Sequence, residues 1–202
     1  FDLYTGKREL YTASFIPSFD MTDSFEAVHY FEGRKTREIT INFPLYSAVS
    51  ALYIGLEDTA KIKKSSGYKN KKPIVFYGSS ITQGGCASRP GSSYQSILSR
   101  ESQTDFINLG FSGSALAEDI IAEYISKLDM SVFVYDYDHN ARTLPHLENT
   151  HEKMFRAIRA AHPNIPIVMM CRPKYYVNKE TARRIEIISA TYNNARAAGD
   201  RH

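Results

Sequence analysis

The sequence predicts an α/β protein: a doubly wound domain built on a parallel sheet, preceded by an all-β, sandwich-like segment. A change of period carries that expectation. Up to Leu56 the apolar residues fall in short β-type runs between Pro, Gly, Asp and Ser turn signals, whereas after Pro73 compact apolar runs alternate with stretches at helical spacing. Between them lies a stretch rich in Lys, Ser, Gly and Asn, the composition of a connector. The expected division is therefore 1–57, an incomplete β-sandwich-like segment; 58–72, a linker; and 73–202, the α/β domain, truncated at its C-terminal end.

Taken in order, the chain opens on a strand-like segment, and further β-runs are expected at 10–16, 27–31, 37–43 and 51–54. In Glu38-Ile39-Thr40-Ile41-Asn42-Phe43 polar and apolar residues alternate, as in a strand with one buried face. Parallel strands are expected at 74–77, 105–109, 131–135 and 165–170, where the apolar runs are short and unbroken. Three apolar stripes mark the helices between and after them. They are Ile120, Ile121, Tyr124, Ile125 and Leu128; Leu147, Met154, Phe155 and Ile158; and Ile185, Ile188, Tyr192 and Ala195. Right-handed crossovers then place any ligand site outside the carboxyl ends of the strands.

Composition narrows the function classes. A chain of 202 residues with 43% hydrophobic and 23% charged residues can bury a core and is neither disordered nor fibrous. The +3 charge comes from 25 basic and 22 acidic residues, and the one dense basic run, 61–72, has no aromatic platform beside it. It reads as a solvated connector, so no nucleic-acid partner is expected. No membrane span is expected either, since no stretch reaches about 18 apolar residues. Cys86 and Cys171 show neither CxxC nor metal-ligand spacing, so no metal site, disulfide framework or cofactor is expected. Phe1-Asp2-Leu3-Tyr4 is unlike a signal peptide, and a strand-like start without Met suggests a piece of a longer chain. The compartment stays open.

The chemistry-bearing residues cluster at three successive strand-to-helix junctions. Tyr77-Gly78-Ser79-Ser80-Ile81-Thr82 sets a small hydroxyl residue, Ser80, just past the sheet edge, where a nucleophile belongs. The bland alternative is a Gly-Ser-Ser turn after a buried strand. The second junction, Asn108-Leu109-Gly110-Phe111-Ser112-Gly113-Ser114, offers Gly113, whose backbone can approach a substrate and donate an amide hydrogen. The third, Asp136-Tyr137-Asp138-His139-Asn140, supplies a side-chain amide at Asn140. A serine, a backbone donor and an amide donor suit acyl transfer, in which an alkoxide attacks and an oxyanion must be held.

These three junctions resemble the first three blocks of the SGNH (GDSL-type) acyl-hydrolase superfamily, which implies a flavodoxin-like sheet and a serine nucleophile at Ser80. The resemblance puts Ser79 where Asp usually stands, the block-two glycine on Gly113 and the block-three asparagine on Asn140, with the Ser80 amide completing an oxyanion hole. Asp2-Leu3-Tyr4 and Gly84-Gly85-Cys86-Ala87-Ser88-Arg89-Pro90-Gly91 are similar to the bacterial GxDLY subfamily, in which a β-sandwich precedes the hydrolase domain. Glu118 resembles an acidic position of that subfamily, though its charge equally suits a helix N-terminus. Arg89 can brace its turn or line the site, and Cys86 reads as a small packing residue.

The departure from the family lies at the C-terminal end, where no DxxH follows Asn140 and the sequence reaches only Gly199-Asp200-Arg201-His202. The source of the catalytic Asp and His is thus unassigned, and a fragment lacking that block is expected. His139 is expected to line the site, His146 and His151 to sit on the surface, and His162 to lie near a helix end. The expected activity is serine-dependent hydrolysis of a small acyl ester, acetyl on carbohydrate by analogy. The competing class is a catalytically incomplete carbohydrate-binding or interaction protein. Anion binding at the Ser-Gly loop ranks below both, because neither GxxxxGK[ST] nor GxGxxG is present.

Overall fold

The computed structural model describes residues 1–6 and 10–202. Two separate sheets organise it. The first is antiparallel, with β1 (Asp2–Thr5) between β2 (Leu10–Ser14) and β3 (Ile39–Asn42). The second is parallel, from β4 (Asn70–Gly78), β5 (Thr104–Gly110), β6 (Val132–Asp136) and β7 (Ile167–Met169) in the order β5-β4-β6-β7. Around it run α1 (Ser80–Gln83), α2 (Tyr94–Ser102), α3 (Asp119–Ser126), α4 (Leu144–Ala161) and α5 (Lys179–Ala197). No described helix is long and apolar enough to cross a membrane.

The α/β half follows the expected plan. Strand order reverses at β4, the first strand of its sheet, which makes the carboxyl end of β4 the switch point where doubly wound sheets bind ligands. Val75 and Tyr77 on β4 and Phe133 and Tyr135 on β6 are fully buried, and they join Ile125, Leu147, Met154 and Ile158 from α3 and α4 in one core. β4 begins at Asn70, inside the expected 58–72 connector, because Asn70 pairs with Thr104 and its Nδ2 donates to Thr104 Oγ1 (2.6 Å).

Several expectations need correction. Residues 27–31 and 51–54 form no strand: they have no pairing partner, and Val28, Tyr30 and Tyr53 are exposed. The incomplete sandwich-like segment, by contrast, agrees with expectation: among the described residues it is a separate three-stranded antiparallel sheet. On α3, Ile120 and Tyr124 face outward while Ala122 and Ile125 are buried. On α5 the buried face runs through Thr181, Arg184, Ile188 and Thr191, leaving Tyr192 exposed. Apolar spacing misread that face because polar side chains with buried partners can take core positions. His151 is the clearest case. Expected at the surface, it is 1% exposed, stacked on Tyr135 (4.6 Å between centroids) and bonded through Nδ1 to Thr191 Oγ1 (2.8 Å).

Candidate active site

Register brings the three junctions to one rim. Gly78 pairs with both Gly110 and Asp136, so β4, β5 and β6 end level and their following loops leave the sheet together. Ser80, Gly113 and Asn140 lie two, three and four residues beyond those ends.

Ser80 opens α1 rather than ending the strand, since β4 stops at Gly78 and Ser79 is the N-cap. The Ser79 hydroxyl accepts from the Ile81 amide (3.2 Å), and Gly84 closes this single turn in the left-handed conformation (φ 106°). Ser79 is fully buried while Ser80 is partly exposed, so the cap holds the turn and presents the next hydroxyl. Beneath it, Thr82 Oγ1 donates to Asp136 Oδ2 (3.0 Å). Burial pushes the Asp136 carboxyl up to about 6, against the lowering effect of the Thr82 bond, and the nearby Asp138 charge adds to the rise.

Gly113 adopts φ +71°, and a Cβ there would meet nothing within 4 Å, so conformation rather than space favours glycine. Its loop is anchored on all sides. The Phe111 amide donates to Gly78 O (2.8 Å), the Ser112 amide to Gln83 Oε1 (2.9 Å), and Asn140 Nδ2 to Phe111 O (2.7 Å). The Asn140 side chain thus sits against the Gly113 loop, with its second amide hydrogen uncommitted.

The acidic and basic neighbours divide clearly. Asp138, 1% exposed, is held by Arg172 and by the equally buried Arg184, whose Nη1 donates to Asp138 Oδ1 (2.9 Å). Burial opposes ionisation of Asp138, but the Arg172 amide and guanidinium together with Arg184 outweigh it and keep its pKa below the usual value. His139 lies beside Asn140, with Nε2 buried and unpartnered; burial, then the Arg172 charge, lower its pKa. The Arg89 guanidinium lies 4.0 Å from the Tyr11 ring centroid on β2. Glu118 is the N-cap position of α3, exposed and making no side-chain cap bond. Cys86 corrects its reading as a packing residue: it is exposed, on a left-handed backbone (φ 65°).

Among the described residues no histidine is hydrogen-bonded to Ser80. His146 Nε2 meets Leu116 O (2.9 Å), His162 Nε2 meets Ser126 O (3.0 Å), and His151 is buried against Thr191. His202 lies at the other rim, since its carbonyl accepts from Arg159, which also holds Ile165 O where the chain enters β7. No group of three or more described His, Cys, Asp or Glu side chains is placed to hold a metal ion.

The sequence reading missed three site-shaping residues. Asp136 lay inside a quoted motif and Gln83 between two of them, each without a role, and only their contacts reveal one. Tyr46, from the segment after β3, donates through its hydroxyl to Ser80 O (3.1 Å), a contact across 34 residues that no local pattern encodes.

Comparison with known proteins agrees with this fold. The model of the GDSL-like lipase/acylhydrolase family matches residues 71–196. No curated protein matches the chain. The chain is similar to a crystal structure of a Bacteroides ovatus protein assigned as a GDSL-like lipase, with 28% identity and a TM-score of 0.75; the match covers 99% of this chain and 61% of that one. This chain therefore spans about three fifths of that protein's length. It is also similar to a salicylyl-acyltransferase from a tetracycline biosynthetic pathway (19% identity, TM-score 0.57, 66% of this chain and 42% of that one). A family two carbohydrate esterase from Clostridium thermocellum, solved with cellohexaose, matches at 17% identity and a TM-score of 0.56 over 69% of this chain and 54% of that one. The last two likenesses concern the fold alone.

Proposed function

The chain belongs to the GDSL-like lipase/acylhydrolase family, and from that premise we propose that it is a serine-dependent carboxylic ester hydrolase with Ser80 as nucleophile. The supporting observation is the common rim: level strand ends at Gly78, Gly110 and Asp136, with Asn140 Nδ2 bonded to the Gly113 loop. In the proposed reaction Ser80 Oγ attacks the acyl carbon, the carbonyl π pair moves to oxygen, and that oxyanion accepts hydrogen bonds from the Ser80 amide, the Gly113 amide and the Asn140 side chain. Collapse expels the alcohol, which leaves with the serine's proton. Water then repeats the attack on the acyl-enzyme and releases the acid and free Ser80.

The proposed substrate is a small acyl ester, acetyl on a carbohydrate in the first instance. The carbohydrate part rests on analogy with the Clostridium esterase named above and with sandwich-bearing relatives, not on a residue of this chain. A second reading has its own observation: no described histidine is bonded to Ser80, which suits a carbohydrate-binding or interaction protein derived from this fold.

One experiment separates the two. The protein is treated with a fluorophosphonate probe and, in parallel, assayed for acetate release from a peracetylated monosaccharide, each with a Ser80→Ala control. The enzyme reading expects an adduct on Ser80 and acetate release that the substitution removes. No adduct and no release, with sugar binding equal in both proteins, would establish the binding reading instead.

A further inference from the structure

We propose that Gln83 is a positioning residue that sets the Gly113 donor loop against Ser80; the proposal rests on the ester-hydrolase reading of that site. Gln83 is the last residue of α1, three positions after Ser80, and its side chain points away from its own turn into two other segments. Its Oε1 accepts the Ser112 amide hydrogen (2.9 Å), and its Nε2 donates to Leu45 O (3.1 Å). These partners dictate the amide's orientation, since a backbone N–H requires the oxygen and a backbone C=O requires the nitrogen.

The peptide unit between Phe111 and Ser112 is consequently gripped at both edges. Its N–H is held by Gln83 and its C=O by Asn140 Nδ2 (2.7 Å). A planar peptide fixed at both edges cannot rotate, and only the dihedrals of Ser112 then separate it from the peptide that carries the Gly113 amide hydrogen. Among the described residues that amide has no acceptor, while the Ser114 and Ala115 amides, just beyond it, both turn back to Phe111 O (3.0 and 3.2 Å). The amides on either side of Gly113 are thus held within the fold, which leaves its own amide free to donate to a substrate.

Close packing reinforces the strut. Gly110 lies so near the Gln83 backbone that a Cβ at 110 would collide with it, and Asn108 Nδ2 reaches Gln83 O (3.4 Å). Leu45, on the segment after β3, anchors the other end, so the first third of the chain contributes to the placement of the donor loop. A preorganised donor is useful only when it is held at the position the oxyanion will occupy, which is the function this contact serves.

The test is steady-state hydrolysis of 4-nitrophenyl acetate by the protein and by Gln83→Leu and Gln83→Glu, with Ser80→Ala as the background, together with amide hydrogen exchange. Gln83→Leu removes both bonds; Gln83→Glu keeps an acceptor for Ser112 but loses the donor to Leu45. For Gln83→Leu we expect kcat to fall about 10- to 100-fold, less than or similar to loss of one whole oxyanion donor, with KM within about twofold, as for an interaction made in the transition state. The Ser112 amide should lose protection while amides of β4 and β5 keep theirs, and Gln83→Glu should retain the Ser112 protection. Unchanged kcat in Gln83→Leu, or lost protection throughout β4 and β5, would overturn the positioning role while leaving the hydrolase reading intact. Absence of Ser80-dependent turnover in the unsubstituted protein would instead overturn the hydrolase reading, and this role with it.

Discussion

Asp136 and His151 show how single buried side chains impose opposite pH dependences. Burial raises the Asp136 carboxyl from 3.8 to about 6, so between those values the folded protein holds a proton that the unfolded chain has released. Stability from this group therefore falls as pH rises through that window. Burial lowers His151 from 6.5 to about 4, so across that interval the unfolded chain binds a proton that the folded protein excludes. Its contribution falls as pH drops. The two nearly cancel between pH 4 and 6. Asp136→Asn removes the first and leaves the second, and an asparagine oxygen can still accept from Thr82. The difference in unfolding free energy between variant and parent should become less favourable on acidification from pH 6 to 4.5, by up to about 1.4 kcal/mol per pH unit. Urea unfolding at several pH values measures it, and parallel curves for the two proteins would disprove the assignment.

At the scale of elements, the junction after β6 depends on a helix far away in sequence. Arg184 of α5 is 3% exposed and donates to Asp138 Oδ1 (2.9 Å), Asp138 O (3.1 Å) and Ala141 O (3.0 Å), while Arg172, after β7, holds the same carboxylate. One buried charge thereby ties α5 and the segment after β7 to the loop that carries His139 and Asn140. A pair this buried yields little net stability against an apolar replacement, but removing one partner strands the other. Arg184→Ala should cost about 3–5 kcal/mol in denaturant unfolding. A loss under about 1 kcal/mol would show that Arg172 alone satisfies Asp138. The helix N-termini follow local rules more simply: Ser79, Ser93, Thr143 and Asn178 each cap through a side-chain oxygen. Ser79 supplies the oxygen that caps the turn beginning at Ser80.

Across the whole molecule, the antiparallel sheet is fastened to the segment that follows the Ser80 turn. Asp2 is fully buried, and its Oδ2 accepts from the Gly91 amide (2.8 Å) across 89 residues. A Cβ at Gly91 would strike the Tyr4 ring, which also carries Arg100 at 4.5 Å from its centroid, while Arg89 covers Tyr11. These contacts join the Asp-Leu-Tyr strand to the 89–91 turn, and Leu45 and Tyr46 add a second attachment at Gln83 and Ser80. Asp2→Ala leaves the buried Gly91 amide without an acceptor, at about 1–3 kcal/mol. Amide exchange should quicken around residues 86–93 more than in β6, and equal protection in both proteins would argue against this coupling.

The amino-acid sequence by itself determined the parallel-sheet half and its three junctions. Apolar runs, capping serines and turn glycines at Gly78, Gly110 and Gly113 are local signals, and local periodicity dictates where strands end and helices begin. It was least informative before residue 70, where 27–31 and 51–54 have strand-like composition but no partner to pair with. Whether a segment becomes a strand depends on hydrogen bonds to another segment, which composition does not contain. Only the tertiary structure decided that polar faces of α5 would be buried, that His151 would enter the core, that His202 would lie at the far rim, and that Tyr46 would bond to Ser80, Gln83 to Ser112 and Asp136 to Thr82. For the buried groups the physical reason is common: a polar side chain can leave water only when a partner satisfies it, and the partners of His151, Arg184 and Asp136 stand 40 to 54 residues away along the chain.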